Sequence, residues 1–312
     1  MDKKIEKKLV EKINEYKNII VAKHILPDWD AQGSAMGMAH IIKENFKGKK
    51  IVVVGDRLND DKDFWIDSKD LTDKFIKSAL VITVDTGTSS RIDFEKFSLA
   101  KEIFKVDHHI PVDNYGNENL VDVSAIACAQ VVTLWAKDMK LKVNRKAATN
   151  LYKGLLTDSN RFLFPATNVH TFEAAIELIN SGIDLEEIHN YLYVGNLNLR
   201  KWTNYAFSKV EISKKGVAII VIEEKDYKPY KLTYDEVKLA LSTMAGIDEI
   251  KIWSTVIVWK GVNKVSLRSR KYDVNTVAVK YNGGGHKLAS GAELDKISDY
   301  KNLVKDLDKL IK

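Results

Sequence analysis

Residues 101–110 read K-E-I-F-K-V-D-H-H-I, and Pro111 follows. The first six form a short strand, which the proline stops. Asp107, His108 and His109 therefore stand where a buried strand ends. In open α/β sheets, ligands bind outside the carboxyl ends of the strands. Two neutral imidazoles beside a carboxylate suit a borderline or hard divalent metal. Adjacent histidines also cap turns and fill polar cores, so the triplet takes its meaning from the rest of the chain.

Working outward, the same arrangement recurs. Residues 19–23 (I-I-V-A-K) form a compact apolar strand that runs into H-I-L-P-D-W-D-A-Q-G-S, placing His24, Asp28 and Asp30 at its end. A helix over 31–46 follows, opened by small residues that permit close backbone approach. Residues 50–54 give another strand, and 55–70 a polar, acid-rich loop with a short helix. Residues 79–84 (A-L-V-I-T-V) are a further strand, with Asp85-Thr86-Gly87 directly behind it. Two buried helices are expected at 125–139 and 143–156, with Asp158 and Arg161 just past the second in G-L-L-T-D-S-N-R-F. An amphipathic helix over 3–17 docks at the start, and helices over 169–180, 185–193 and 197–212 continue the chain.

From Gly216 the pattern restarts. Strands are expected at 217–222, 253–259 and 264–267, the last two an antiparallel pair. Helices are expected at 233–245, 274–281 and 299–311. The fold class is α/β: an N-terminal, mostly parallel sheet flanked by helices, plus a smaller C-terminal α/β domain. The expected boundaries are 1–190, a helical connector over 191–212, and 213–312. There is no internal repeat and no low-complexity linker.

Composition narrows the function classes. The 312 residues are 45% hydrophobic and 29% charged, with a net charge of +6. That is a globular chain with a mild preference for an anionic partner. The single cysteine, Cys128, excludes an internal disulfide framework and a cysteine-rich zinc site, and its apolar surroundings make it core. The charged amphipathic start lacks the apolar centre of a signal peptide. No apolar run approaches the ~20 residues of a membrane span. The expected setting is soluble and cytoplasmic.

Each candidate ligand has a plain alternative. Asp28 or Asp30 would serve as a helix N-cap, Asp85 as a turn residue, and Asp158 as a turn after a helix. Together they are positions that one parallel sheet brings to one edge. Oxygen and imidazole donors without thiolates suit two Mn²⁺ ions best, with Mg²⁺ or Zn²⁺ as alternatives. A two-metal site of this kind clamps the attacking and leaving oxygens of an in-line phosphoryl displacement.

In the window 260–287, seven basic residues face one acid. Arg268-Ser269-Arg270 places two guanidiniums on one strand face, a match to phosphate oxygens. Gly283, Gly284 and Gly285 can approach a phosphate with bare backbone N–H groups, and His286 adds a donor. Tyr281 is a candidate for base stacking, with core packing as its alternative.

Taken in order, H-I-L-P-D-W-D-A-Q-G-S, V-D-T-G, D-H-H, L-L-T-D-S-N-R-F and G-G-G-H-K-L-A-S-G resemble the motifs of the DHH family of phosphoesterases. The likeness is to its NrnA-type branch, oligoribonucleases (nanoRNases) that also dephosphorylate 3′-phosphoadenosine 5′-phosphate (pAp), and it covers nearly the whole chain. The resemblance implies one metal on His24, Asp28 and Asp85, and a second on Asp30, Asp85, His108 and Asp158, with Asp85 bridging. It implies that Asp107 lies behind His108 and orients the imidazoles, that His109 faces the substrate phosphate, and that Arg161 binds it. Asn160 stands where this branch usually has glycine, and Asn tolerates a left-handed backbone. The implied reaction is hydrolysis of short single-stranded RNA to mononucleotides and of pAp to AMP by a metal-bridging water. The implied partners are nanoRNA, pAp and linear dinucleotides, and a homodimer is open. The alternatives are a linear or cyclic dinucleotide phosphodiesterase on the same scaffold, and a non-catalytic nucleotide sensor.

Overall fold

The computed structural model describes residues 2–58 and 62–311. Part of the acid-rich loop, 59–61, lies outside the described residues. The chain forms two compact units, Met1–Tyr193 and Val194–Lys312.

The first unit contains, in order, α1 (Lys3–Glu15), β1 (Asn18–Ala22), α2 (Trp29–Asn45), β2 (Lys50–Val53), α3 (Asp73–Lys77), β3 (Ala79–Val84), β4 (Glu102–Asp107), β5 (Glu118–Val121), α4 (Cys128–Asp138), α5 (Arg145–Asp158), α6 (Val169–Asn180) and α7 (Leu185–Tyr193). Its five strands pair in parallel in the order β2-β1-β3-β4-β5. Burial on both faces explains why β1 and β3 read as nearly unbroken apolar runs. Ile19 and Val21 face a core shared with α1, α2, α4 and α5, whereas Ile20 and Ala22 face a second core on the other side. The chain leaves β1 toward β2 on one side and returns to β3 on the other. That switch point opens a crevice at the strands' carboxyl ends.

Three details of this unit differ from the sequence expectation, the first being α3, a five-residue helix that was not expected. β5 was not expected: it is a four-residue edge strand with only Leu120 buried, too short and too polar to signal itself. Helix α5 runs through Asp158, so this aspartate occupies its last turn instead of following it.

Helices α2 and α5 pack closely because glycines face the contact. A Cβ on Gly33 would lie 2.3 Å from the Asn150 carbonyl oxygen, and one on Gly154 would lie 2.8 Å from Asp30 Oδ1. The first turn of α2 is thereby held against α5, the helix that ends in Asp158.

The second unit contains α8 (Leu197–Ser208), β6 (Glu211–Ile212), β7 (Val217–Ile222), α9 (Glu224–Tyr227), α10 (Tyr234–Lys238), β8 (Ile252–Trp259), β9 (Val262–Ser269), α11 (Asn275–Ala278), β10 (Gly284–His286), β11 (Ala289–Leu294) and α12 (Tyr300–Asp308). Its sheet order is β10-β11-β9-β8-β7-β6, parallel only at β7–β8. The stretch 191–212, expected as a connector, holds α8, whose fully buried Trp202 and Ala206 pack with Ala218, Ile220 and Ile222 of β7. Helix α8 is therefore part of the second unit's core. The expected helix at 233–245 is split: α10 gives way to a 3-10 turn over Leu239–Met244. Among the described residues, no helix is long and apolar enough to cross a membrane.

Candidate metal centre

Three strand ends and two helix ends converge on the crevice. His24 follows β1, Asp85 follows β3 and His108 follows β4. Asp28 is the N-cap of α2, where its Oδ1 accepts from the amides of Asp30 and Ala31. Its Oδ2 is left for the site and lies 3.9 Å from His24 Nε2. The N-cap reading and the ligand reading of Asp28 are thus compatible, one oxygen for each.

Asp85 is the centre of the arrangement. Its backbone is left-handed (φ +50°), a conformation Asp tolerates better than most residues. Its carboxylate divides between the two imidazoles: Oδ2 lies 3.4 Å from His24 Nε2 and Oδ1 lies 3.3 Å from His108 Nε2. His108 Nε2 also lies 3.8 Å from Asp30 Oδ2 and 3.7 Å from Asp158 Oδ2. Two groups of side chains therefore offer converging donor atoms, His24/Asp28/Asp85 and Asp30/His108/Asp158, with Asp85 against both. A third such group joins Asp85, His108 and His109.

Neighbours aim the candidate ligands. His24 Nδ1 pairs with the Ile25 carbonyl at 2.9 Å and His108 Nδ1 with the Ala125 carbonyl at 3.2 Å. Both rings are thereby turned so that Nδ1 can donate outward and Nε2 faces the site, the outer hydrogen bond typical of metal-binding histidines. Asp30 is fully buried against the start of α4, where the amides of Cys128 and Ala129 donate to its Oδ2 and Oδ1 at 2.6 and 2.9 Å. The positive end of that helix suits a carboxylate. No sequence signal pointed to those two amides.

The electrostatics call for a cation. Burial first, then Asp85 and Asp158, push the Asp30 carboxyl well above its ordinary range. Burial, Asp85 and Asp28 raise Asp158 to about 7. Burial disfavours charge on both Asp85 and His108, yet their mutual attraction wins: Asp85 is held well below the carboxylate range and His108 is raised. Among the described residues, the ion pairs of these four aspartates run to histidines alone. Asp85 Oδ1 is buried without a hydrogen-bond donor. A buried carboxylate oxygen with no donor, among oxygen and imidazole ligands, fits divalent metal ions.

Asp107 departs from expectation. Its Oδ1 accepts from the His108 backbone amide at 2.9 Å and pairs with His109 Nδ1 at 2.8 Å. It therefore orients the ring of His109, while the ring of His108 is fixed by Ala125. Behind it, the fully buried Lys105 lies 3.2 Å from Asp107 Oδ2, and its ammonium also donates to the carbonyls of Gly87 and Asp113. Burial alone would raise Asp107, but His109 and Lys105 keep it low. Lys105 was missed because a lysine inside K-E-I-F-K-V reads as the solvent face of a strand.

Arg161 is exposed, in a turn where Asn160, Arg161 and Phe162 all have positive φ (47°, 60°, 65°). The buried Ser159 supports the turn through its hydroxyl, which accepts from the Phe162 amide. The Arg161 guanidinium lies 5.3 Å from the centre of the Tyr193 ring.

In the second unit, the glycine run is a strand. Gly284, Gly285 and His286 form β10, the exposed edge of the sheet, paired with β11. Gly285 has φ +141°, and a Cβ there would lie 2.7 Å from the Ala289 carbonyl oxygen. Gly283 N–H is spent on the Ala278 carbonyl. Arg268 is half-buried and pairs across to Ala289, next to this edge. Arg270 lies past the end of β9, and its Nη2 donates to the carbonyls of Ile247 and Ile250 at 2.9 and 2.7 Å. Its guanidinium thus braces a turn, instead of sharing one strand face with Arg268. Tyr281 hydrogen-bonds Asp306 and packs on the core.

Comparison with known proteins places this geometry. Residues 18–155 match the N-terminal domain of the DHH family, and residues 214–312 match the DHHA1 domain. A probable bifunctional oligoribonuclease and PAP phosphatase NrnA from Streptococcus mutans is 34% identical over 98% of this chain and 99% of its own. The Bacillus subtilis bifunctional oligoribonuclease and PAP phosphatase NrnA is 33% identical over 97% and 98%. In fold, the chain resembles an exopolyphosphatase-related protein from Bacteroides fragilis, with a TM-score of 0.88 at 19% identity over 99% of this chain and 98% of that one. With both domain matches, full-length relatives and the convergent aspartate–histidine centre in agreement, the chain belongs to the DHH family of phosphoesterases.

Proposed function

We propose that the chain hydrolyses short oligoribonucleotides to mononucleotides and pAp to AMP. The observation that carries this reading is Asp85, set between two ligand groups so that one carboxylate serves both. The two full-length relatives named as oligoribonuclease and PAP phosphatase support the substrate class. His24, Asp28 and Asp85 would hold one ion, and Asp30, Asp85, His108 and Asp158 the other, with Mn²⁺ the best match to the donors. Bound there, such a pair supplies an activated nucleophile and charge neutralisation for phosphoryl displacement.

The protein's own groups do the remaining work. Asp107 holds His109 by Nδ1, so that Nε2 is presented outward toward a phosphate oxygen. Arg161 supplies a second cationic donor against the charge that builds on the non-bridging oxygens. In the second unit, Arg268, His286 and the amides around Gly284 and Gly285 are the groups suited to a phosphate. Arg270 contributes by fixing the turn it braces.

The test is a substrate panel with Mn²⁺: pAp, a dinucleotide, a pentanucleotide, a long single strand, linear pGpG and pyrophosphate, against metal-stripped protein. Metal-dependent release of mononucleotides from the short RNAs and of AMP from pAp is expected. Turnover of pyrophosphate alone would overturn the nucleotide reading.

A further inference from the structure

Trp29 lies between the candidate ligands Asp28 and Asp30 in sequence and is only partly buried. Its ring meets that of Tyr191 edge to face, with centroids 5.5 Å apart and planes at 80°. The Lys153 ammonium sits over both, 4.1 Å from the Tyr191 centroid and 5.3 Å from that of Trp29. Lys153 comes from α5, five residues before Asp158, and Tyr191 from α7.

Helix α7 packs His189 against the buried Tyr152 but leaves its two tyrosines largely in solvent. Ile188 is its one buried residue, whereas Tyr191 remains 52% exposed and Tyr193 42% exposed. An aromatic notch with a cation over it, built on the residue between the candidate ligands Asp28 and Asp30, has the parts of a nucleotide subsite. A ring face takes a base and the ammonium takes charge from its phosphate. In the second unit, Tyr281 does not offer this, since its hydroxyl and ring are committed to Asp306 and the core.

We propose that Trp29, Tyr191 and Lys153 form a nucleobase-binding subsite for the nucleotide whose phosphate is cleaved. The inference rests on the nucleotide reading given above. Stacking serves any base because every base has a π-face. The subsite therefore discriminates nucleotides from base-free phosphate esters, not one base from another.

The test compares AMP with ribose 5-phosphate for binding to the Mn²⁺-loaded full chain by calorimetry, in wild type, Tyr191→Ala and Tyr191→Phe. It also compares hydrolysis of a dinucleotide with that of the same dinucleotide lacking one base. Wild type should bind AMP about ten-fold more tightly than ribose 5-phosphate, within the range for stacking one base. Tyr191→Ala should remove that preference and raise KM for the intact dinucleotide about ten-fold, with the loss in KM and not in kcat. Tyr191→Phe should retain the preference. Equal binding of the two ligands by wild type would overturn the subsite. So would an equal loss for both ligands in Tyr191→Ala, which marks a packing role. Base-preferring binding without hydrolysis would keep the subsite and remove the hydrolytic reading. Hydrolysis without base preference would do the reverse.

Discussion

Asp85 Oδ1 lies 3.3 Å from His108 Nε2, buried and with no hydrogen-bond donor. Leaving such an oxygen unsatisfied is costly, about 1–3 kcal/mol and more for a charged group. Without metal the charged imidazole of His108 offsets this cost at the point where the two candidate ligand groups meet, and bound cations would take over that role. Asp85→Asn keeps the shape and halves the donor capacity. It should lower metal content from two ions per chain and cut turnover by more than about 100-fold, beyond what losing an outer-sphere partner costs. Elemental analysis of the purified variant, with kcat at saturating Mn²⁺, checks both parts.

Asp107→Asn should act through His109. The Nδ1 contact at 2.8 Å orients that ring. Its loss should lower kcat by about 10–100-fold while metal content stays at wild type. NMR of ¹⁵N-labelled histidine checks the cause, since the His109 tautomer should shift while that of His108, held by Ala125, should not.

Lys105→Met removes one partner of an ion pair whose two side chains are both fully buried. Stranding Asp107 should destabilise the first unit by about 3–5 kcal/mol. Denaturant unfolding measures this directly, and Lys105→Met combined with Asp107→Asn should recover part of the loss.

Metal loading should release protons. Burial lowers His108, but Asp85, Asp30 and Asp158 outweigh it and lift the imidazole to about 10. Asp158 is lifted to about 7. A metal takes only the neutral imidazole and the ionised carboxylate. Near neutral pH it must displace the His108 proton and part of the Asp158 proton, so affinity rises with pH up to about 10 and falls steeply below 7. Calorimetric titration in buffers of different ionisation enthalpy should show release of at least about one proton per chain at pH 7.

Gly154→Ala tests the helix contact. The added Cβ would lie 2.8 Å from Asp30 Oδ1 and 3.0 Å from its Cα. Overpacking of this kind costs about 1–3 kcal/mol. Because the displaced group is a candidate ligand, Mn²⁺ affinity should fall along with the unfolding midpoint.

Much of this was legible in the sequence, for identifiable reasons. Strands β1 and β3 are buried apolar runs and β4 a short mixed one, each followed by a polar candidate ligand, so their boundaries and the residues at their ends could be read together. Helices α6 and α7 carry clear periodicity. What could not be read lacked periodicity or depended on tertiary contacts. β5 buries one residue, and β10 is a glycine run with no pattern at all. Arg270 reads as a phosphate ligand until the Ile247 and Ile250 carbonyls are seen beside it. Helix α8 looks polar because two buried residues, Trp202 and Ala206, do its packing. The Cys128 and Ala129 amides that hold Asp30 are backbone groups nearly 100 residues away in sequence.

The most direct test of the two-metal account is a titration of metal-stripped protein with Mn²⁺, following mononucleotide release from a dinucleotide as ions are added per chain. The account predicts no turnover without metal and a rise that levels off at two equivalents. A plateau at one equivalent, or undiminished turnover in chelator, would contradict it.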